Sequence, residues 1–571
     1  MKGYILMGKK ILRIIIHIIT IALILIENYR IITPWNVHSA AMWLKLFWIA
    51  GIFTIGEGIV LFTIKCDIDE EDAHTKRNER MKIIEKQKKW LTMAIGVIAL
   101  PVICLLVLLI GSISGMQIFR ASSYKNLVEV KESTADTSIP SVDGLNSIAL
   151  MDTQSAIQLG DRQIGQIEKF SAFEVATGYM QLNVNGDPVK VAPLVYKGFF
   201  KWKNNRDEGV PGYVTVSPTT MEAKYVQLNK GMKYVPSAYF GDNLFRHLHK
   251  QYPTTIMGYS HIEIDENGNP YYVTAVYKTK VGIFSGQVAT GAILTDPVTG
   301  KSKKYALKDV PKWVDIVWDG DLICQDYNIA NKNINGWWNG TGYGANTGCK
   351  RTTDDFGYIA KGNDIYIYTG VTSYASDNSN LGYIVVNSRT GEYSYFKSSG
   401  ANEQSAMNAA QGEVQQYGYK ASFPSLVNIN GNLSYIGVLK DRNNLVKLYY
   451  LVNAEDYGKV VTNANRSECL KAYLFKIGST EDVDESKDAG SENISVTENT
   501  SDTSQPAEDN EIIFKISKMQ YVQSDGETYV YLVSENNDIY KCIFTDNERI
   551  LLVNVGDTVT GVVEDGFLKL K

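Results

Sequence analysis

The sequence predicts a membrane-anchored protein that carries an α+β, mostly β outer domain. Three observations predict it. Three long apolar runs crowd the first fifth of the chain. Short runs rich in Val, Ile, Tyr and Thr then alternate with Gly, Asn, Asp and Pro from 148 to 478, as strands do with turns. The same texture returns over 511–571, after a polar stretch. Of the 571 residues 44% are hydrophobic and 21% charged, a balance that folds. A net charge of −5 argues against a nucleic-acid partner, which requires a broad basic field.

The apolar runs cover about 11–32, 41–64 and 90–115, each near or above the roughly 20 residues that carry a helix across ~30 Å of hydrocarbon. The first lacks a small-residue cleavage site and two more spans follow it, so it reads as retained rather than as a signal peptide. Lys2, Lys9, Lys10 and Arg13 precede or open the first span. Lys65, Lys76, Arg77, Arg80, Lys82, Lys86, Lys88 and Lys89 fill the second connection, whereas the connection over 27–40 has Arg30 alone. Because Lys and Arg resist translocation, this predicts a multi-pass protein of the cell membrane with a cytoplasmic N-terminus and an extracytoplasmic C-terminal domain. Trp35, Trp43 and Trp90 fall near span ends, where indoles prefer to sit.

Two ionisable residues, His17 and Glu57, interrupt the first two spans. Each lies about 10 Å from the cytoplasmic end of its helix at 1.5 Å per residue, which puts both at one depth. An ionisable pair in lipid is a functional candidate. It is more often a polar clamp between two helices, here with Gly51, Gly56 and Gly58 to allow close approach.

Beyond the spans, 121–147 reads as a polar tether and 148–478 as a β-rich domain. Hairpin turns are expected at Asn185-Gly186-Asp187, at Asp265 to Asn269 and at Asn430-Gly431-Asn432. A pattern occurs twice: Tyr271 to Val273, Gly291 to Asp296, Thr299-Gly300 and Tyr305 match Ile365 to Tyr368, Gly382 to Asn387, Thr390-Gly391 and Tyr393. A helix follows over 402–417, with Ala406, Ala410 and Val414 on one smooth face and Gly418 at its stop. The paired strands and the G-x-I-x-x-D-x-x-T-G turn over 243–305 and 355–460 resemble PepSY-type modules, small extracytoplasmic α+β units of membrane-anchored bacterial proteins. That resemblance implies binding or restraint of other envelope proteins, and it transfers no catalytic residue. The second copy departs from it by lacking a helix before its strands at 365. Residues 479–510 are almost wholly Ser, Thr, Asp, Glu, Asn and Gly and read as an acidic disordered linker. The five or six short strands expected in 511–571 suggest a small closed barrel of OB-like or SH3-like type.

The most unusual local chemistry is the run Asn335 to Gly344, which holds Trp337, Trp338 and Tyr343 among glycines and amides. Such rings form a ligand platform for a sugar face, or they fold back to plug the sheet, the commoner fate of paired indoles. His247, His249, His261 and Glu263 offer metal-ligand types, yet the first two fall on a segment that is equally helical, and no metal is expected. Asp319, Asp321 and Asp326 lack the spacing of a calcium loop. Cys324 and Cys349 bracket a loop and are either bridged or two small buried thiols. No nucleophile elbow, zinc-protease motif or P-loop occurs, and no cofactor is indicated. The expectation is a non-enzymatic bacterial envelope protein, held in the lipid bilayer, that binds another envelope protein or a cell-wall polymer. The alternatives are an enzyme acting on cell-wall glycan through unidentified carboxylates and, more weakly, a sensor.

Overall fold

The computed structural model describes residues 2–73, 80–133, 150–166, 169–341, 343–374, 379–478, 511–524, 527–534, 538–543, 549–550, 553, 555–564 and 567–570. The chain divides into two compact units, 1–491 and 492–571.

The first unit opens with α1 (Lys2–Arg30), α2 (Ala40–Ala73) and α3 (Arg80–Ser114), each long and apolar enough to cross a membrane. The helices overrun their apolar runs for an electrostatic reason. Lys9 Nζ lies 2.7 Å from Asp67 and 3.2 Å from Glu70, and Arg13 pairs with Asp67, so the acidic end of α2 stays helical against α1. One level further in, His17 Nδ1 lies 2.8 Å from Glu57 Oε1. Beyond that, Thr20 packs on Gly56, where an added Cβ would lie 2.0 Å from the Thr20 hydroxyl. Gly51 and Gly58 face open space, so the close approach uses Gly56 alone of the three. Trp90 Nε1 donates to Leu61 O at 2.7 Å and Thr54 Oγ1 to Val97 O at 3.0 Å, joining α2 to α3.

The expected tether over 121–147 is a correction in its first part. Residues Gln117–Lys125 form α4 and Val130–Ser133 form β1. Tyr124 and Leu127 are buried in a hydrophobic cluster, and this anchoring makes the segment part of the domain. The rest of the expected tether, 134–147, lies outside the described residues.

Four units follow, each a helix and then an antiparallel meander. The first has α5 (Thr153–Asp161), β2 (Phe173–Val175), β3 (Met180–Val184), β4 (Asp187–Tyr196), the short α6 (Phe199–Asn205), β5 (Val210–Val216) and β6 (Ala223–Met232). The second has α7 (Leu244–Gln251), β7 (Ile256–Ile264), β8 (Pro270–Val281), β9 (Ser285–Thr295) and β10 (Ser302–Ala306). The third has α8 (Gly320–Lys332), β11 (Lys350–Thr352), β12 (Gly357–Lys361), β13 (Asp364–Ser373), β14 (Ser379–Asn387) and β15 (Tyr393–Ala401), with β1 added in parallel at the edge beside β15. The fourth has α9 (Glu403–Glu413), β16 (Lys420–Ala421), β17 (Ser425–Ile429), β18 (Asn432–Lys440), β19 (Val446–Asn453) and β20 (Val460–Asn463), and α10 (Arg466–Ile477) closes it. In the first, third and fourth units the leading strand is split in two, both pieces pairing one partner; in the second it is continuous with a bulge between Met257 and Ser260.

The copies share one turn, between the last two strands of each sheet. In the second unit Asp296 accepts from the N–H groups of Val298 at 2.8 Å and Thr299 at 3.2 Å, and Gly300 N donates back to Asp296 O at 2.8 Å. Asn387 repeats this with Arg389 at 3.0 Å, Thr390 at 2.9 Å and Gly391 at 2.8 Å. The sequence pattern stops at these two copies, but Ser217 caps Thr220 N at 3.1 Å and Asn453 caps Glu455 N at 3.0 Å in the same role. Met221, at φ 61°, takes the left-handed position that Gly300 and Gly391 hold elsewhere. The expected missing helix of the third unit is also a correction. α8 is present, capped by the Asp319 side chain on Leu322 N at 2.9 Å, and it buries Ile323, Tyr327 and Ala330 at helical spacing.

These sheets are buried on both faces. Along β8, Tyr272 and Val276 enter the core shared with the first sheet, while Val273 and Val281 enter the core shared with the third. Along β14, Ile384 and Val386 face that second core, and Tyr383 and Val385 face a third shared with the fourth sheet. Period-2 side chains on a two-sided sheet give such near-continuous apolar runs. The series returns to its start: Asp152, the cap of α5, pairs with Lys440 of β18, and Ser155 Oγ donates to Asn444 O at 3.3 Å.

A buried polar joint locks three of the sheets. Glu263 on β7 accepts from Asp315 N at 2.8 Å and Ile316 N at 2.9 Å. Asp315 in turn accepts from Asn183 N on β3 at 2.6 Å, and its carbonyl receives Ser388 Oγ at 2.8 Å.

The compact unit 492–571 corrects the expected barrel. It is one antiparallel sheet of β21 (Glu511–Ser524), β22 (Glu527–Ser534), β23 (Ile539–Ile543), β24 (Thr558–Glu564) and β25 (Phe567–Leu570), in the order β23-β22-β21-β24-β25, with no closed barrel among the described residues. The long β21 pairs β24 with its first part and β22 with its second, bending at a bulge between Ile516 and Lys518. Closure requires the edge strands to share a ladder. Here β23 and β25 approach through side chains, Lys541 lying 5.1 Å from the Phe567 ring. The expected linker over 479–510 lies outside the described residues.

Burial, and after it the charge of Glu263, hold the Asp315 carboxyl well above the usual carboxylate range. Between the ordinary value and that raised one the unfolded chain has lost a proton that the fold keeps, so this group's contribution is full below the ordinary value and is lost as pH rises. Asp315→Asn keeps the acceptor for Asn183 N and removes the titration. Its melting temperature relative to wild type is expected to rise from pH 5 to pH 8. A constant difference would mean that Asp315 does not titrate in the fold.

Candidate functional site

The chain leaves α8 at Asn333, whose Nδ2 donates to Ile329 O at 2.8 Å and to Gln117 Oε1 of α4 at 3.2 Å. Gln117 stands just beyond the end of α3, so the loop that follows starts beside the membrane helices. Amides hold the loop from within. Asn335 Nδ2 and Asn339 Nδ2 both donate to Thr347 O, at 2.8 and 3.0 Å, and Thr347 N returns a bond to Asn339 Oδ1 at 3.0 Å. Gly344 is required by close approach, since a Cβ there would lie 2.2 Å from Trp338 O.

This frame presents rings to solvent. Trp338 is 63% exposed and Tyr343 90%, and their rings stack at 6.5 Å and 22°. Trp337 is half-buried, 5.9 Å from Trp338 and tilted by 59°. The plug expected of paired indoles is therefore not formed by Trp338: its ring lies outside the four hydrophobic cores of this unit. Two flat, near-parallel apolar faces beside several amides suit a sugar ring or another amphipathic surface.

The remaining candidates are dispersed. His17 and Glu57 meet as one rung of the α1–α2 ladder, above the Lys9 and Arg13 pairs, which is the geometry of a clamp. The bridge considered between Cys324 and Cys349 is not made; both are free thiols. Cys324 is taken up by packing along α8, where burial pushes its thiol up to about 12, and Cys349 Sγ donates to Lys332 O at 3.5 Å and accepts from Asn339 Nδ2 at 3.2 Å. His247 and His249 lie on α7 and turn to different carbonyls, Gly300 O at 2.6 Å and Phe245 O at 2.8 Å, while His261 pairs with buried Glu263 at 2.7 Å. Asp319 and Asp321 belong to the start of α8 and Asp326 to its buried face, where burial pushes the carboxyl up to about 7. The adjacent carboxyl groups Glu263 and Asp315 are buried and spent on backbone N–H groups. No protein-family model and no curated protein matches the chain.

Exposure decides what substitution does here. Trp338→Ala is expected to change stability by no more than about 0.5 kcal/mol, as surface replacements do. Gly344→Ala should cost about 1–3 kcal/mol through overpacking against the Trp338 carbonyl. Thermal melting of the two variants side by side checks the pair, and the reverse order would make Trp338 a core residue.

Proposed function

We propose that the chain is a multi-pass membrane protein that holds its four-sheet domain on the extracytoplasmic side and binds a cell-wall polymer there, without chemistry of its own. The observation that carries this reading is the stacked, exposed pair Trp338 and Tyr343 on a braced loop. The orientation rests on charge: Lys9, Lys10 and Arg13 near the start of α1, with Lys65, Arg80, Lys82, Lys86, Lys88 and Lys89 around the α2–α3 connection, mark the cytoplasmic side. The α1–α2 connection and the end of α3 both meet the sheet domain, through Trp35 N to Pro253 O at 2.7 Å and Ile283 N to Ser114 Oγ at 3.1 Å, which puts that domain opposite the cationic end.

The likeness to PepSY modules supports a partner among envelope proteins as the variant of this reading, since the helix-and-meander unit occurs four times. An enzyme acting on wall glycan has less support: the paired carboxyl groups of Glu263 and Asp315 are buried and bonded to backbone N–H groups. One observation favours a second role for the rings. The Asn333–Gln117 contact keeps the loop close to the end of α3, where Trp and Tyr sit well among lipid headgroups.

Replacing Trp338 and Tyr343 together by Ala is expected to weaken sedimentation of the full chain with purified wall by about thirtyfold, on the order of 1 kcal/mol being lost per ring. Unchanged binding sinks the wall reading. With Cys66 replaced, cysteines placed at Gly490 and Thr75 test orientation, and an impermeant maleimide on intact cells should label the first and spare the second.

A further inference from the structure

Where the helices meet the sheet domain lies a cavity of about 1050 Å³, walled by the end of α1, the connection to α2, the start of α2 and one side of α7. Its lining has two chemistries. Leu25, Ile31, Ile32 and Trp35 are apolar and belong to the membrane helix and its exit, whereas Lys45, Arg246 and Lys250 bring cations.

Lys45 is the informative residue. It sits in the second turn of an apolar helix and is only 4% exposed. Its ammonium reaches the carbonyl of Asn28 at 3.1 Å and the face of Trp35 at 5.1 Å. Arg246 is placed in the same way, donating to Tyr29 O at 2.5 Å with its guanidinium 4.0 Å over the Tyr29 ring. Among the described residues neither cation has a carboxylate within 4.0 Å. Asp242, the acidic residue of the lining, is shared by Arg206 at 3.5 Å and Lys233 at 3.9 Å. Withdrawing an ammonium from water costs more than one carbonyl and one ring face return, and a second cation on the same cavity adds repulsion. An anion between them relieves both. A free anion has no use for the apolar wall, and an acyl chain does.

We propose that this cavity binds the phosphate of an anionic membrane lipid between Lys45 and Arg246, with an acyl chain along Leu25 and Ile32. The proposal rests on the three helices lying in a bilayer and is independent of what the aromatic loop binds. The full chain in a neutral detergent tests it, by thermal melting and by native mass spectrometry, with phosphatidylglycerol, phosphatidylcholine or inorganic phosphate added. Phosphatidylglycerol should raise the melting temperature and give a one-to-one adduct that survives detergent removal, whereas the other two at equal concentration should do neither. Lys45→Met with Arg246→Gln should shift the phosphatidylglycerol midpoint upward by at least about tenfold, as expected when charge-assisted phosphate contacts are lost. An equal response to phosphatidylcholine would reduce the cavity to ordinary lipid contact, and an equal response to inorganic phosphate would make it an anion site without a lipid. A double variant that keeps the wild-type midpoint would also overturn the assignment. The lipid comparison on wild type decides the matter even where that variant does not fold.

Discussion

The carboxylate of Glu263 accepts two backbone N–H groups and a ring nitrogen of His261 while wholly buried, and the arrangement of the sheets follows from where it sends the chain. Segment 315–318 runs between the second and third units. Held by Glu263 at Asp315 and Ile316, it also donates from Val317 N and Trp318 N to Ser388 O, at 2.9 and 2.8 Å, and accepts Asn183 N through the Asp315 side chain. One connecting strip thus bonds to three sheets. A buried carboxylate is tolerable because donors surround it, and removing them would leave an uncompensated charge. The sheets must stack for a second reason: each central strand is apolar on both faces, so one helix-and-meander unit alone would leave half its core in water.

The same logic fixes the domain to its membrane helices. The second sheet, β7 to β10, is the seat. The α1–α2 connection donates from Trp35 N to Pro253 O and from Asn36 Nδ2 to Thr254 O at 2.9 Å, and His38 Nδ1 meets Ile283 O at 3.0 Å. From the other side Gly282, at φ 59°, lies so close to the Ser114–Gly115 backbone that a Cβ would stand 2.7 Å from it. Gly111 receives the Phe284 ring with a similar lack of room. Contacts from two separate helix ends onto one sheet resist rocking in a way that a single tether does not.

Legibility in the sequence followed the range of the interaction. The apolar runs declared the three helices, because twenty consecutive hydrophobic residues have few other uses, and the charges of Lys9 and Arg13 alone did not reveal that Asp67 and Glu70 would prolong α2. Local turns were readable at Asn185-Gly186 and Asn430-Gly431, where positive φ calls for these residue types. The repeat was visible only where Thr-Gly marked it. Ser217 and Asn453 make the same cap, so a search for the capping Asp, Asn or Ser after a strand would have found all four copies. α8 is signalled by Asp319, which does not fit a calcium loop and instead caps a helix. The barrel failed on a long-range property: strand count is local, but whether β23 ladders with β25 is decided by the bend of β21. At the aromatic loop the residues were evident and their exposure was not, since exposure depends on the path that Asn339 and Gly344 impose.

That path has a mechanical consequence. The loop springs from α8, α8 touches α4 through Asn333 and Gln117, and α4 continues from α3 with only Gly115 and Met116 between them. Through this series the loop that carries Trp338 and Tyr343 is bonded to the segment that leaves the membrane span. A protein that reaches outward for a distant partner is better served by a flexible stalk, which samples volume. A rigid mount gives up that reach and gains positional definition, because little further ordering is lost when the partner arrives. The cationic cavity beside α7 is mounted on the same seat. Under the proposed function, a mount of this kind suits a partner that is itself confined near the membrane surface better than one met in free solution.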